Sequence, residues 1–391
     1  MGIYADNACT TFPKPPCVVE AMTRFMTEGG YNVNRGSYGG AFDAEDGVLE
    51  CRELLCELLG GPDPSDVVFT RCITESLNLV LKGLLTPGDH VVVSSMEHNA
   101  VMRPLTQLAQ RGVTFTRIAC AADGSLDPVD VVQALTPATR IVVMTHASNV
   151  CGTMLPLAEV GALCQERHIA FMVDSAQTAG FVPTRMDELH ADALCFTGHK
   201  GLLGPQGIGG VVLSPELAAT LEPLVVGGTG SVSDSEETPC FMPDRFEAGT
   251  LNLPGIMGLR ASLLWLREQG INAIRAHELA LTQRFLDGLF PLEEDGLVRI
   301  VGRRDTTNRT GVVSVCTPLL DEAEVARRLD VDFGIQTRVG LHCAPSAHKT
   351  LGTFPVGTIR FSFGFAGTEA DVDAVLTALR KICSQLNHPI D

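Results

Sequence analysis

Short runs of β-branched and apolar residues alternate with amphipathic stretches between residue 45 and about residue 215. HVVVSS from His90, IVVMTH from Ile141, AFMVDS from Ala170 and ALCFTG from Ala193 hold few polar positions, which predicts strands buried on both faces. VVFT from Val67 and GGVVLS from Gly209 read as two further strands. Glu45 to Leu59 sets Val48, Leu55, Leu58 and Leu59 on one stripe and stops at Gly60, Gly61 and Pro62, the pattern of a helix. Thr74 opens TESLNLVLKGLL as an N-cap, and Leu157 to His168 is another helical segment. Helices interleaved with strands are crossover connections, so the sheet is expected to be largely parallel. Gly227 to Pro243 is Gly/Ser-rich, acidic and aperiodic, and reads as a loop. Beyond it a long helix, Leu259 to Gln269, leads to a different pattern: VVSVC from Val312, a helix around Glu322 to Leu329, IRFSFG from Ile359 and a terminal helix from Glu369. The expectation is an α/β fold with a second, smaller α+β domain, the N-terminal segment packing beside it.

Composition sharpens this picture by exclusion. At 391 residues, 45% hydrophobic and 19% charged, the chain can bury a large core split over two domains. Its formal charge of −17 leaves no basic stripe, which argues against nucleic acid and against an anionic membrane surface. The thirteen cysteines are scattered and form no CxxC pair, so they read as reduced thiols rather than as a disulfide framework. MGIYADNACT has no signal-peptide pattern, Asp6 breaks the myristoylation pattern, and no apolar run spans a bilayer. A cytoplasmic location is expected.

Candidate chemistry gathers where strands end. Asp174 follows AFMV, His98 follows the strand at Val91, Asn149 follows IVVMTH, and His199-Lys200 follows ALCFTG. In open α/β sheets ligands sit beyond the carboxyl ends of strands, so the convergence carries more weight than any one residue. Thr74, at a helix start, suits a phosphate. GPQGIGG from Gly204 precedes a strand rather than following one, which removes a dinucleotide fingerprint, and no Walker-type loop occurs. His342, Cys343 and His348 lack a fourth convergent ligand, so no metal is expected.

VDSAQTAG (Val173 to Gly180) followed by TGHKGLLGPQGIGG (Thr197 to Gly210) resembles the class V aminotransferases, in particular their cysteine desulfurase and selenocysteine lyase group. YADNACTTFPKP, NVNRG, SSMEHNA, ASNVCGT, FEAGTLN and RVGLHCA match in family order over nearly the whole chain. The resemblance implies the fold type I of pyridoxal-phosphate (PLP) enzymes: a large domain with a mostly parallel seven-stranded sheet, a small α+β C-terminal domain, and a homodimer. It divides the chain into an N-terminal segment (1–15), a PLP domain (16–265) and a C-terminal domain carrying the cysteine loop (266–391). It assigns Lys200 to carry PLP and move the Cα proton, Asp174 to the pyridinium nitrogen, Gln177 to the ring hydroxyl and His98 to the ring face. Thr74, Thr197 and His199 would hold the phosphate, with Thr250 from the other subunit. Arg360, helped by Asn149, would grip the substrate carboxylate as a bidentate fork.

Cys343 would attack substrate sulfur and become a persulfide, with His342 lowering its pKa. The implied reaction converts L-cysteine to L-alanine and passes sulfur to an acceptor protein. L-selenocysteine cleavage is the alternative, followed by another PLP-dependent lyase or aminotransferase reaction. A non-catalytic sulfur-carrier partner would not need Lys200, Asp174, Cys343 and Arg360 together. The chain departs from the family pattern at Ile73, Cys9 and Cys151, all near the expected cofactor, and in PSAHKTLGT after Cys343.

Overall fold

The apolar runs fold as strands because both of their faces are covered. The structure, a computed structural model, describes residues 2–33, 36 and 38–384; Asn34 and Arg35 of the NVNRG motif lie outside the described residues. A two-residue strand, β1 (Ile3–Tyr4), precedes the main sheet, which comprises β2 (Val67–Thr70), β3 (His90–Ser94), β4 (Thr114–Ile118), β5 (Thr139–Thr145), β6 (Ala170–Asp174), β7 (Ala193–Thr197) and β8 (Gly209–Leu213). Their order is β2-β8-β7-β6-β5-β3-β4, with β8 antiparallel to both neighbours and the other pairings parallel. Val92, Val142, Val173 and Leu194 enter the core on one face, and Val91, Val143, Met172 and Cys195 the core on the other. Period-two alternation between two dry cores is why these strands read as continuous apolar runs.

Gly210 in β8 explains part of the glycine-rich segment: a Cβ there would meet the Val68 carbonyl oxygen at 2.5 Å and the Phe196 ring at 2.5 Å. The helix expected from Glu45 begins earlier, at Gly39, and runs to Leu59. Residues 227–243 contain neither helix nor strand.

Helix Leu253–Gln269 stops at Gly270, and helix Ile271–Glu294 continues into the smaller unit. There β9 (Arg299–Val301), β10 (Val312–Cys316), β12 (Arg338–Gly340) and β13 (Thr358–Ser362) form an antiparallel sheet in the order β12-β13-β10-β9, while β11 (Ile335–Gln336) pairs with β1 in parallel. Helices Ile271–Glu294, Glu322–Phe333 and Glu369–Ser384 supply its core, where Phe285 packs against Phe361 and Phe363 at ring-centroid distances of 5.0 and 5.4 Å. A large domain on a mostly parallel seven-stranded sheet thus joins a smaller α+β C-terminal domain. No helix among the described residues is long and apolar enough to cross a membrane.

Candidate active site

Parallel pairing aligns the ends of β3, β5, β6 and β7, and with them the chemistry-bearing residues. Thr145 at the end of β5 lies opposite Asp174 at the end of β6, and Asp174 lies opposite Cys195 of β7. Asp174 is buried, and its Oδ1 accepts the Ala176 N–H at 2.9 Å. Burial pushes its carboxyl pKa up; the Ala176 bond and the Lys200 charge oppose that. Burial brings the Lys200 amine down to about 8, against the pull of Asp174 and with help from Arg360. A lysine so poised is neutral, and therefore nucleophilic, about a tenth of the time at pH 7, far more often than an ordinary lysine.

His98 caps the helix Asn99–Ala109, its Nδ1 accepting the Ala100 N–H at 3.0 Å. That bond fixes the tautomer, leaving the ring proton on Nε2. Burial first, and then the Lys200, Arg338, Arg103 and Arg360 charges, lower the His98 pKa to about 4, so the ring is neutral. Beside it, Glu97 is fully buried and accepts Ser94 Oγ–H at 2.5 Å and the Thr145 N–H at 3.0 Å. Gln177 donates from Nε2 to the Ala8 carbonyl at 3.1 Å. The Thr197 hydroxyl and His199 Nδ1 are buried with no hydrogen-bond partner among the described residues.

Thr74 corrects a sequence expectation. The helix begins at Ile73 with Cys72 as N-cap, so Thr74 is its second residue and caps nothing. The cause is the extended backbone at Cys72, which makes that residue the N-cap and starts the helix one residue before the threonine. Thr74 nevertheless lines a cleft of about 390 Å³ together with Asn78, His98, Arg103 and Cys343. Thr250 is not brought to Lys200; it lines a separate cleft with Thr70, Arg71 and Asn252.

Arg360, on β13, is buried, with Nη2 on Asp6 Oδ1 at 2.6 Å and Nη1 on the Asn149 carbonyl at 3.0 Å. Only Nε lacks a partner among the described residues, so the expected two-pronged fork is partly occupied. The Asn149 amide donates to the His342 carbonyl at 2.8 Å rather than standing free. Cys343 is exposed, in the left-handed region at φ 57°, and its carbonyl accepts the Asn99 N–H at 2.8 Å, tying the cysteine loop to the helix that His98 caps.

His342 does not act on Cys343 as expected. Its ring is buried and bonded to Thr358 at 3.0 Å, and burial, followed by the Arg360 charge, drives its pKa down to about 2. A neutral imidazole supplies no positive charge to a thiolate. The cation at that sulfur is Arg338, whose Nη2 lies 3.9 Å from Cys343 Sγ and whose Nη1 lies 3.4 Å from Cys9 Sγ. Sequence reasoning missed Asp6, Glu97 and Arg338. Each stands inside a quoted motif, but no spacing signals that Asp6 and Arg360, 354 positions apart, form one ion pair.

A family model described as Aminotransferase class-V matches residues 3–375. The chain belongs to the class V aminotransferase family. Within it the similarity is to the cysteine desulfurase group. A probable cysteine desulfurase of Methanothermobacter thermautotrophicus is 34% identical over 97% of this chain and 94% of that protein. The cysteine desulfurase CsdA of Escherichia coli is 33% identical over 97% and 93%. Among solved structures, the apo cysteine desulfurase of Thermococcus onnurineus NA1 superposes with a TM-score of 0.91, at 34% identity over 98% of this chain and 94% of that one. The class V fold is the fold type I of PLP-dependent enzymes, as the sheet order and the smaller C-terminal domain already indicated.

Proposed function

We propose that this class V chain binds PLP at Lys200 and desulfurates L-cysteine to L-alanine, leaving a persulfide on Cys343. The residues suit the cofactor. The unpartnered Thr197 hydroxyl and His199 Nδ1 are buried polar atoms that lack the bonds a phosphate would supply. Lys200 offers an amine of lowered pKa to the aldehyde, Asp174 a buried carboxyl to the ring nitrogen and Gln177 an amide to the ring hydroxyl. When bound, PLP withdraws electrons from the substrate Cα.

The observation that carries the reaction is Cys343, exposed in the cleft with Thr74 and His98, with the Arg338 guanidinium at its sulfur. Arg338 places a positive charge beside the attacking sulfur. Arg360 presents Nε–H to the substrate carboxylate, while Asp6 and the Asn149 carbonyl fix its other two nitrogens. Cys343 Sγ then bonds to the substrate sulfur and the C–S bond breaks. The electron pair stays with the carbon skeleton, which takes up protons by way of Lys200 and leaves as L-alanine. Neutral His98, with its proton on Nε2, donates a hydrogen bond in the site and carries no charge.

The same reading takes the chain as a homodimer, with Thr250 serving the partner's site and residues 1–15, 16–265 and 266–391 as its three parts. Its sulfur goes to an acceptor protein. The deciding measurement is alanine release from L-cysteine and L-selenocysteine side by side. Alanine from cysteine, lost in Cys343→Ala with its yellow cofactor retained, is the expected result. Cysteine turnover undiminished in Cys343→Ala would end the persulfide assignment, and alanine from selenocysteine alone would make the enzyme a selenium-specific lyase.

A further inference from the structure

A second thiol shares the cation of Cys343. Arg338 reaches Cys9 Sγ through Nη1 at 3.4 Å and Cys343 Sγ through Nη2 at 3.9 Å. The two nitrogens belong to one planar guanidinium, so the two sulfurs lie within about 10 Å of each other. Cys9 is half-buried and sits in a turn whose N–H bonds to the Asp6 carbonyl at 3.0 Å.

That turn is fastened on every side. The Ala8 N–H donates to Ser362 Oγ at 2.8 Å, and Gln177 donates to the Ala8 carbonyl. Thr10 and Thr11 hydroxyls donate to the His199 and Lys200 carbonyls at 3.2 and 2.8 Å. Cys9 is therefore held beside Lys200, Arg338 and Arg360, and its partner thiol, Cys343, is exposed at the same guanidinium. The other cysteines of the active-site neighbourhood differ. Cys195 and Cys151 are fully buried, and Cys151 spends its sulfur on Thr153 at 3.3 Å.

Resting on the desulfurase reading, we propose that Cys9 is a second sulfur-carrying cysteine, which takes the sulfane sulfur from the Cys343 persulfide. The Cys9 thiolate attacks the outer sulfur of that persulfide. A new S–S bond forms on Cys9, the old one to Cys343 breaks, and Cys343 leaves as the thiolate, the proton travelling with the transferred sulfur. No oxidant or reductant is consumed. One thiolate and one persulfide stand at Arg338 before and after, so a single guanidinium supports both states. Cys343 is freed for a second turnover before any acceptor arrives, and the chain stores two sulfur atoms.

The test uses the PLP-loaded enzyme with L-cysteine as the only added thiol, quenched during the burst with an alkylating agent, with alanine counted and persulfides located by peptide mass spectrometry. The expected result is an alanine burst of about two per chain with persulfide on both Cys9 and Cys343, falling to about one in Cys9→Ala and in Cys9→Ser with all sulfur on Cys343. A wild-type burst of one with sulfur confined to Cys343 overturns the proposal and leaves the desulfurase reading standing. So does a Cys9–Cys343 disulfide with sulfide released, which would mean attack on the inner sulfur. Absence of alanine from wild type and variants alike removes both.

Discussion

Arg360 is the residue on which substrate recognition turns, because it is a buried guanidinium with one nitrogen left over. Asp6 neutralises its charge, and the Asn149 carbonyl holds its orientation. The remaining Nε–H gives a charge-assisted contact to a carboxylate of ~1.5–3 kcal/mol. Arg360→Ala should therefore raise KM for L-cysteine roughly 10- to 100-fold in steady-state assays; an unchanged KM would put the carboxylate elsewhere. Lys200 makes a prediction with a sign. Burial disfavours its ammonium form and sets its pKa at about 8, and only the neutral amine can attack the PLP aldehyde. Uptake of PLP by unloaded protein should accelerate about tenfold per pH unit below pH 8 and level off above it. His98, neutral down to about pH 4, adds no inflection between pH 5 and 8. An uptake rate independent of pH across 6.5 to 8 would contradict a Lys200 amine held at that value.

At the scale of elements, one buried ion pair ties together three pieces that the site needs in register. Arg52, from helix Gly39–Leu59, donates to the Val67 carbonyl of β2 and meets Glu247 Oε2 at 2.6 Å. Glu247 Oε1 accepts the Phe69 N–H at 2.6 Å and anchors the segment that carries Thr250. Removing one partner leaves a buried charge uncompensated, so Arg52→Ala should cost about 3–5 kcal/mol, read as a fall in melting temperature of roughly 4–6 °C for a chain of this length. A loss below ~1 kcal/mol would show that water reaches Glu247. Much at this scale was legible beforehand. The strands β3, β5, β6, β7 and β8 announced themselves because two-sided burial makes a strand uniformly apolar. Thr114–Ile118 did not, since it is the partly exposed edge strand β4 and its TFTRI is mixed. Lys200, Asp174 and Cys343 were legible as motif residues. The Arg338 bridge and the Asp6–Arg360 pair were not, because they join β1 and the turn after it to β12 and β13, and contact at that sequence separation leaves no local trace.

For the whole molecule, the role proposed for Thr250 requires two chains. It lies in a cleft with Thr70, Arg71 and Asn252, away from Lys200, so within one chain it has no cofactor to touch. Tyr38, which caps helix Gly39–Leu59, and Phe42 and Leu49 in its first half are exposed, as are Val225, Val226 and Phe241 in the irregular stretch before Thr250. Large exposed apolar side chains on these segments suit a self-complementary interface. If Thr250 completes the partner's phosphate site, Thr250→Asp should prevent PLP loading by placing a carboxylate against the phosphate, and Lys200→Ala should also be inactive. Refolding the two inactive variants together then gives mixed dimers in which one site keeps its own Lys200 and receives an intact Thr250. Random pairing makes half the dimers mixed, so about a quarter of wild-type alanine release should return, accompanied by a dimer mass in light scattering. Activity that stays at zero in the mixture, with dimers formed, would mean Thr250 acts within its own chain, and a monomer mass would remove the shared site altogether.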